Sequence, residues 1–257
     1  MFVSVGEKLV RFGQSRNMKR GPLILLACMP KSGSTFVARL LHEATGFPER
    51  RIMSSGENPD VDLTAIRTLA GLGTVTQTHF VCSGKFVEAA NTYDIRTLVL
   101  ERNLLDVVIS YADYMCSDDV RASYRRRGFV SAAQNIVVDD KFCELPRERQ
   151  YDLMIDLALP WYLRFHVAWR RYEQAMRRRP LWLDYDEFFS DIPKHSARMF
   201  EYCGIDAEPA APPPASATKF NVGRGGRGKE MLSRDHIAKI KKLVAYYPEY
   251  ADELIRW

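Results

Sequence analysis

A lysine and several small polar residues follow an apolar run near the start of the chain, in the segment MPKSGST. Glycine and serine let an anion approach the backbone closely, the lysine supplies a mobile cation, and the hydroxyl groups are hydrogen-bond donors. Apolar residues at helical spacing come next, so the positive end of a helix would face the same anion. The pattern predicts a phosphate-binding loop made of Lys31, Ser32, Gly33, Ser34 and Thr35.

The order of residues in this loop differs from that of the common nucleoside triphosphate loop. In the pattern GxxxxGK[ST], the lysine follows the glycine, and the hydroxyl residue after the lysine binds Mg²⁺. Here Lys31 precedes Gly33, so the Mg²⁺-binding hydroxyl has no clean equivalent. An ordinary strand–turn–helix connection with a capping serine is the alternative interpretation.

Other polar side chains stand where strands are predicted to end. Arg102 follows the apolar segment IRTLVLE, and ligands of open α/β sheets bind at such strand ends. Ser110 lies about two helical turns further on. His79 ends the segment VTQTH, at another predicted strand end. The alternatives are a salt bridge between Arg102 and Asp106, and a structural role for His79 such as we expect for the other histidines.

The elements that must position these residues alternate between strand and helix. Apolar runs predict strands over residues 22–28, 74–80, 95–101 and 180–189, with helices between them. Gly46 and Gly204 are predicted to end two helices, and Ser233 to begin another. This alternation predicts an α/β fold, with a P-loop-like parallel β-sheet flanked by helices.

A single domain is expected over residues 1–257. Within it, we interpret residues 1–20 as a lead-in and 117–150 as an irregular loop region with short helices. Residues 205–230 are interpreted as a linker and a Gly/Arg loop.

Composition limits the partners and the compartment. The formal net charge of +5 suits an anionic ligand, but no nucleic-acid-binding module is recognisable, so we expect no nucleic-acid partner. No segment resembles a signal peptide or a transmembrane helix, which favours a cytoplasmic protein. The five cysteines are widely separated and lack metal-ligand spacing, so we expect buried thiols without disulfides.

Several of these segments, in this order, resemble the motifs of sulfotransferases that use 3′-phosphoadenosine 5′-phosphosulfate (PAPS). The matching segments are PKSGST, VTQTHF, LVLERNLLDVVISYADY, LWLDYDEFF and GRGGRGKE. The resemblance implies that the loop from Lys31 to Thr35 holds the 5′-phosphate and the bridging oxygen. It also implies that Phe36 and Tyr185 lie near the adenine, although a core-facing position is the alternative for Phe36.

The resemblance further implies a mechanism that needs no metal. Lys31 would stabilise the departing phosphate oxygen, and His79 would take the proton from the acceptor. The residues implied to bind the 3′-phosphate or to close over it are Arg102, Ser110, Arg224, Gly225 and Gly226.

The sequence departs from the family pattern at three places. Leu104 stands where the family usually has proline, Gly225 stands where it has lysine, and the spacing to Gly228 is one residue shorter than the common pattern. Arg227 is a candidate to restore the lost charge. A disordered linker is the alternative interpretation of this glycine-rich loop.

The sequence thus predicts an enzyme that transfers a sulfuryl group from PAPS to a hydroxyl or amine of a small-molecule or carbohydrate acceptor. Two alternatives remain: a Mg²⁺-dependent P-loop kinase with Glu101 in its metal site, and a non-catalytic protein that binds a nucleotide or a partner. The resemblance implies that residues 117–150 lie on the acceptor side, while the identity of the acceptor and the oligomeric state are not readable from the sequence.

Overall fold

Four parallel strands form the central sheet of the computed structural model, which describes residues 19–54, 60–127, 129–132, 136–211 and 225–256. The strands of this sheet are β1 (Leu23–Cys28), β2 (Thr74–Thr78), β3 (Arg96–Glu101) and β6 (Leu181–Asp184), in the spatial order β2-β1-β3-β6. A separate antiparallel hairpin is formed by β4 (Phe129–Ala132) and β5 (Ile136–Asp139). The predicted parallel α/β sheet is confirmed.

Helices connect and cover these strands. They are α1 (Ser34–Thr45), α2 (Leu63–Leu69), α3 (Gly84–Tyr93), α4 (Leu104–Met115), α5 (Asp118–Arg127), α6 (Arg147–Leu153), α7 (Leu159–Tyr172), α8 (Tyr185–Ser190), α9 (Ile192–Cys203), α10 (Arg227–Met231), α11 (Arg234–Val244) and α12 (Ala251–Leu254). Short 3₁₀ helices cover Asp140–Glu144, Glu173–Ala175 and Pro248–Tyr250. None of the helices in the described ranges is long and apolar enough to cross a membrane.

Strand β1 is buried along its whole length because helices pack on both of its faces. Leu23 and Leu25 face a core shared with α4 and α7, whereas Ile24 and Leu26 face a second core shared with α1 and α9. Successive side chains of a strand point to opposite faces, so an unbroken apolar run fits this central position. The run therefore places the loop after β1 in the middle of the sheet edge.

The predicted helix ends are present. Gly46 and Gly204 end α1 and α9 in the left-handed conformation, with φ of 66° and 68°, which glycine adopts without a Cβ penalty. Ser233 caps α11, and its hydroxyl accepts a hydrogen bond from the backbone N–H of His236.

Pro160 interrupts a long helical path, as the sequence suggests. A π-helical turn over Met154–Ala158 joins α6 to α7, and Pro160 lies in the first turn of α7. Proline has no N–H to donate and crowds the preceding turn, which is consistent with the wider turn just before it.

Three expectations need correction. The region 117–150 is more regular than predicted, since it contains α5 and the β4–β5 hairpin. The segments 74–80 and 180–189 form shorter strands; the second becomes helix α8 at Tyr185, where the Asp184 carboxylate caps the helix. The expectation of no disulfide is wrong, because Cys116 and Cys143 are bonded; the two are brought together by folding across 27 positions of sequence. Cys28, Cys82 and Cys203 are buried free thiols, as expected.

Two predicted segments fall partly or wholly outside the described residues. These are most of the lead-in, residues 1–18, and the stretch 212–224, which includes Arg224.

Candidate functional site

The candidate residues meet at the carboxyl edge of the sheet. Lys31 lies in the loop after β1, His79 follows β2, Arg102 follows β3, and Tyr185 follows β6. All four strands are parallel, so their carboxyl ends share one edge, where open α/β sheets bind ligands.

The loop after β1 reverses direction through two left-handed residues. Lys31 has a φ of 65° and Gly33 a φ of 76°. For a lysine this conformation costs about 1–2 kcal/mol, and such strain is concentrated at functional sites. A Cβ on Gly33 would lie 2.8 Å from the Phe189 ring, so only glycine fits beside the aromatic residues. Because Gly33 is the N-cap of α1, no side chain caps the first turn of that helix, and the helix presents its positive end here.

The Lys31 ammonium is partly buried among charged and aromatic groups. Its Nζ lies 4.4 Å from the centre of the Tyr114 ring. Burial lowers the pKa of Lys31, and the nearby Arg102 guanidinium lowers it further, whereas Asp113 opposes both effects. A lysine with a lowered pKa is a better proton donor to a departing oxygen.

Arg102 joins the loop to the aromatic residues. Its Nη1 donates a hydrogen bond of 3.0 Å to the Lys31 carbonyl oxygen, and its Cζ lies 4.1 Å from the centre of the Tyr185 ring. Ser110 is buried two turns along α4 from the same strand end. The structure thus places a positive charge and a hydroxyl residue where the sequence predicts them.

Three aromatic side chains form a cluster beside Gly33. The ring centres of Tyr185 and Phe189 are 4.6 Å apart, and those of Phe36 and Phe189 are 5.3 Å apart. Phe36 is half-buried, so it contributes to the core and also borders the site. Phe189 was not predicted, although its position one helical turn after Tyr185 is the signal that identifies it.

The His79 imidazole is fixed by the end of β1. Its Nδ1 lies 2.7 Å from the Cys28 carbonyl oxygen and 3.3 Å from the Cys28 sulfur. A proton on Nδ1 satisfies the carbonyl and leaves Nε2 as a proton acceptor. Burial and the Lys31 charge lower the pKa of His79, but the sulfur and carbonyl of Cys28 outweigh them and raise it to about 9. The neutral ring that can accept a proton at Nε2 is therefore the minor form at neutral pH.

Helix α4 holds the segment 225–232, which contains the described end of the Gly/Arg loop and helix α10. The two carboxylate oxygens of Asp106 accept hydrogen bonds from the backbone N–H groups of Gly226 and Gly228, at 2.8 and 2.7 Å. Two turns further along α4, Asp113 accepts a hydrogen bond of 2.8 Å from Arg227 and also pairs with Arg147. The Arg227 guanidinium, a candidate to replace the missing lysine, is therefore bound to a carboxylate.

Gly225 and Gly226 lie in this segment, and each position suits glycine. A Cβ on Gly225 would overlap the Asp186 carboxylate, while Gly226 has a φ of 80°. Arg224, the remaining predicted residue of the closing loop, lies outside the described residues.

Glu101 belongs to a buried polar network. Its carboxylate oxygens lie 2.7 Å from His166 Nδ1 and 2.7 Å from the Arg256 guanidinium. Arg256 also pairs with Asp184 at the end of β6. The carboxylate on which the kinase alternative depends is thus held by other side chains. In the described part of the chain, no group of three or more His, Cys, Asp or Glu residues is arranged to hold a metal ion.

The fold is similar to that of solved sulfotransferase structures. Mouse sulfotransferase SULT7A1, complexed with 3′-phosphoadenosine 5′-phosphate (PAP), matches with a TM-score of 0.61 and 12% identity, over 92% of this chain and 87% of that one. The chain has the sulfotransferase fold. Retinol dehydratase, in a complex with retinol and PAP, shows the same fold with a TM-score of 0.52 and 12% identity, over 93% of this chain and 84% of that one.

This sulfotransferase fold is recognised by structure rather than by overall sequence. No protein-family model matches the sequence, and no curated protein matches it either. The predicted resemblance is therefore confirmed at the level of the fold.

Proposed function

We propose that the protein transfers a sulfuryl group from PAPS to a hydroxyl or amine of a small-molecule or carbohydrate acceptor. One observation carries the proposal: Lys31, His79 and Arg102 converge at the carboxyl edge of a sulfotransferase fold. Both of the sulfotransferase-fold structures described above are complexes with PAP.

The residues present suit a donor with two separate phosphates. The strained loop and the uncapped first turn of α1 offer backbone N–H groups to a 5′-phosphate. Arg102 and Ser110, after β3, would bind the 3′-phosphate, with Arg224 to Gly226 closing over it. Phe36, Tyr185 and Phe189 provide an aromatic surface for a purine.

In the proposed reaction, the acceptor oxygen or nitrogen forms a bond to sulfur while the bond from sulfur to the bridging phosphate oxygen breaks. Lys31 stabilises the negative charge that develops on that oxygen. His79 Nε2 takes the acceptor proton, so that charge and protons balance without a metal ion. PAPS supplies the sulfuryl group and leaves as PAP.

Calorimetric titration with PAP tests the donor site. We expect PAP to bind without metal and more tightly than ADP, because Arg102 and Ser110 are placed for a 3′-phosphate that ADP lacks. ATP with Mg²⁺ is the comparison that tests the kinase alternative. Preference for ATP with Mg²⁺ would contradict the proposal, and binding of neither nucleotide would favour the non-catalytic alternative.

The proposed compartment is the cytoplasm. Disulfides persist mainly in oxidising compartments, so the Cys116–Cys143 bond stands against this proposal, and the redox state of the pair in the cell tests it.

A further inference from the structure

Gln77 connects strand β2 to the phosphate-binding loop. Its Nε2 donates a hydrogen bond of 2.8 Å to the Oγ of Ser34, the first residue of α1. Gln77 lies on the same face of β2 as Val75, which is fully buried in the core shared with α1. Gln77 thus places an amide near the end of β2, at a position where an apolar side chain would extend this core.

The hydrogen bond determines what the Ser34 hydroxyl has left to offer. A hydroxyl group has one proton and two lone pairs, whereas the N–H₂ group of an amide only donates. When Gln77 donates to Ser34, the Ser34 proton remains for a third group. Ser32 behaves differently, since its hydroxyl donates to the Met29 carbonyl oxygen at 2.6 Å and its proton is used within the loop.

We propose that Gln77 is a positioning residue, which directs the Ser34 hydroxyl proton towards the 5′-phosphate of the bound nucleotide. The inference rests on the proposed function, because it takes PAPS and PAP as the ligands of the loop. A hydroxyl that donates to a charged phosphate makes a short, strong hydrogen bond, and Gln77 holds that donor in place before the ligand arrives.

A double-mutant cycle in PAP affinity tests the proposal. The variants are Gln77→Met, which keeps the side-chain length but removes the donor, Ser34→Ala, and the two combined. We expect a loss of about tenfold for Ser34→Ala and several-fold for Gln77→Met. The combined variant should bind no more weakly than Ser34→Ala alone, because Gln77 acts only through Ser34.

A second substitution tests the direction of the hydrogen bond. In Gln77→Glu the carboxylate only accepts, so it would draw the Ser34 proton away from the ligand and add a negative charge. We expect PAP affinity to fall at least about tenfold further than in Gln77→Met.

The control separates positioning from folding. Asn91 is a half-buried amide near the end of α3, whose Nδ2 donates to the Ala175 carbonyl oxygen and whose Oδ1 accepts from the Arg177 backbone N–H, next to the amino end of β3 and away from the loop. Asn91→Leu should lower the melting temperature without changing PAP affinity. A positioning role for Gln77 requires the opposite pattern, with affinity lost in excess of any loss of stability.

The outcomes distinguish a failure of the proposed role of Gln77 from a failure of the proposed function. Wild-type affinity in Gln77→Met, additive losses in the combined variant, or equal losses in Gln77→Met and Gln77→Glu would overturn the role of Gln77 while leaving the proposed function intact. Failure of the wild-type protein itself to bind PAP would overturn the proposed function and this inference with it.

Discussion

At the scale of single residues, the site depends on two groups whose pKa values the fold changes in opposite directions. Burial and Arg102 lower the pKa of Lys31, while Cys28 raises that of His79 to about 9. The two shifts bring the pKa values of these groups closer together, and perturbed pKa values are concentrated at functional sites. Lys31 is suited to donate towards a leaving oxygen, whereas His79 can accept a proton from an incoming group only in its neutral form, which its raised pKa makes the minor form at neutral pH.

The His79 pKa can be measured directly. An NMR titration of the ring protons, assigned with His79→Asn, should give a midpoint near 9. A base works only when it is unprotonated, so kcat/KM should rise with pH through that midpoint and fall again once Lys31 loses its proton. Cys28→Ala should lower the midpoint, whereas Cys203→Ala should not. A midpoint near the ordinary value of about 6.5 would contradict this account.

Substitution of Lys31 tests its role in the chemical step. In Lys31→Ala we expect turnover to fall by at least about a hundredfold, since the charge on the departing oxygen loses its partner. PAP formation from PAPS, followed with an acceptor found by screening, measures this loss. Lys242→Ala, a change of the same type at an exposed residue of α11, is the control. Turnover near the wild-type level in Lys31→Ala would remove this residue from the mechanism.

At the scale of elements, α4 organises the site because it begins directly after β3 and carries functional residues along one face. Asp106 and Asp113, two turns apart, hold the segment around Gly226–Gly228, and Ser110 lies between them. Gly228 packs against α4 so closely that a Cβ would meet the Leu105 backbone. The helix thus joins the predicted 3′-phosphate residues to the segment proposed to close over them.

Asp106→Asn tests this role of α4. An asparagine offers only one accepting oxygen, so one of the two backbone N–H groups loses its partner, at a cost of about 1–3 kcal/mol. We expect faster amide hydrogen exchange over residues 225–232 and several-fold weaker PAP binding. Asp152→Asn, which changes a surface ion pair with Lys239, should alter neither. Unchanged exchange in Asp106→Asn would show that the segment is held by other contacts.

At the scale of the whole molecule, contacts between residues that are far apart in sequence hold several segments at the carboxyl edge of the sheet. The Arg256 guanidinium forms ion pairs with Glu101 and Asp184. The backbone carbonyl oxygen of Arg256 accepts a hydrogen bond of 2.7 Å from Asn103 Nδ2. The Cys116–Cys143 disulfide closes the acceptor-side region between the end of α4 and the short helix that contains Cys143. Both sets of contacts connect segments that lie at the edge of the candidate site.

The disulfide gives a prediction about stability and compartment. Removing it with Cys116→Ser and Cys143→Ser should lower the free energy of unfolding by about 2–4 kcal/mol, because the closed loop restricts the unfolded chain. Denaturation with and without reductant measures the effect, and Cys82→Ser is the control for loss of a buried thiol. Rapid alkylation of cells before lysis reports the native state: free thiols at both positions support the cytoplasm, whereas a protected pair contradicts it.

The sequence by itself determined the sheet, the loop after β1 and the positions of Lys31, His79 and Arg102. These are local signals, because an apolar run makes a buried strand and parallel strands bring their following residues to one edge. Most of the predicted helix ends were readable for the same reason, since a cap depends on neighbouring residues.

Only the tertiary structure decided which groups control those residues. Cys28 meets His79 across 51 positions, Gln77 meets Ser34 across 43, and Asp106 meets Gly226 across 120. Cys116 and Cys143 likewise became neighbours through folding. Such contacts depend on strand order and helix packing, which no periodicity or local motif encodes. Local sequence patterns therefore predict where the candidate reactive residues lie. The pKa values, orientation and contacts of these residues depend on long-range packing.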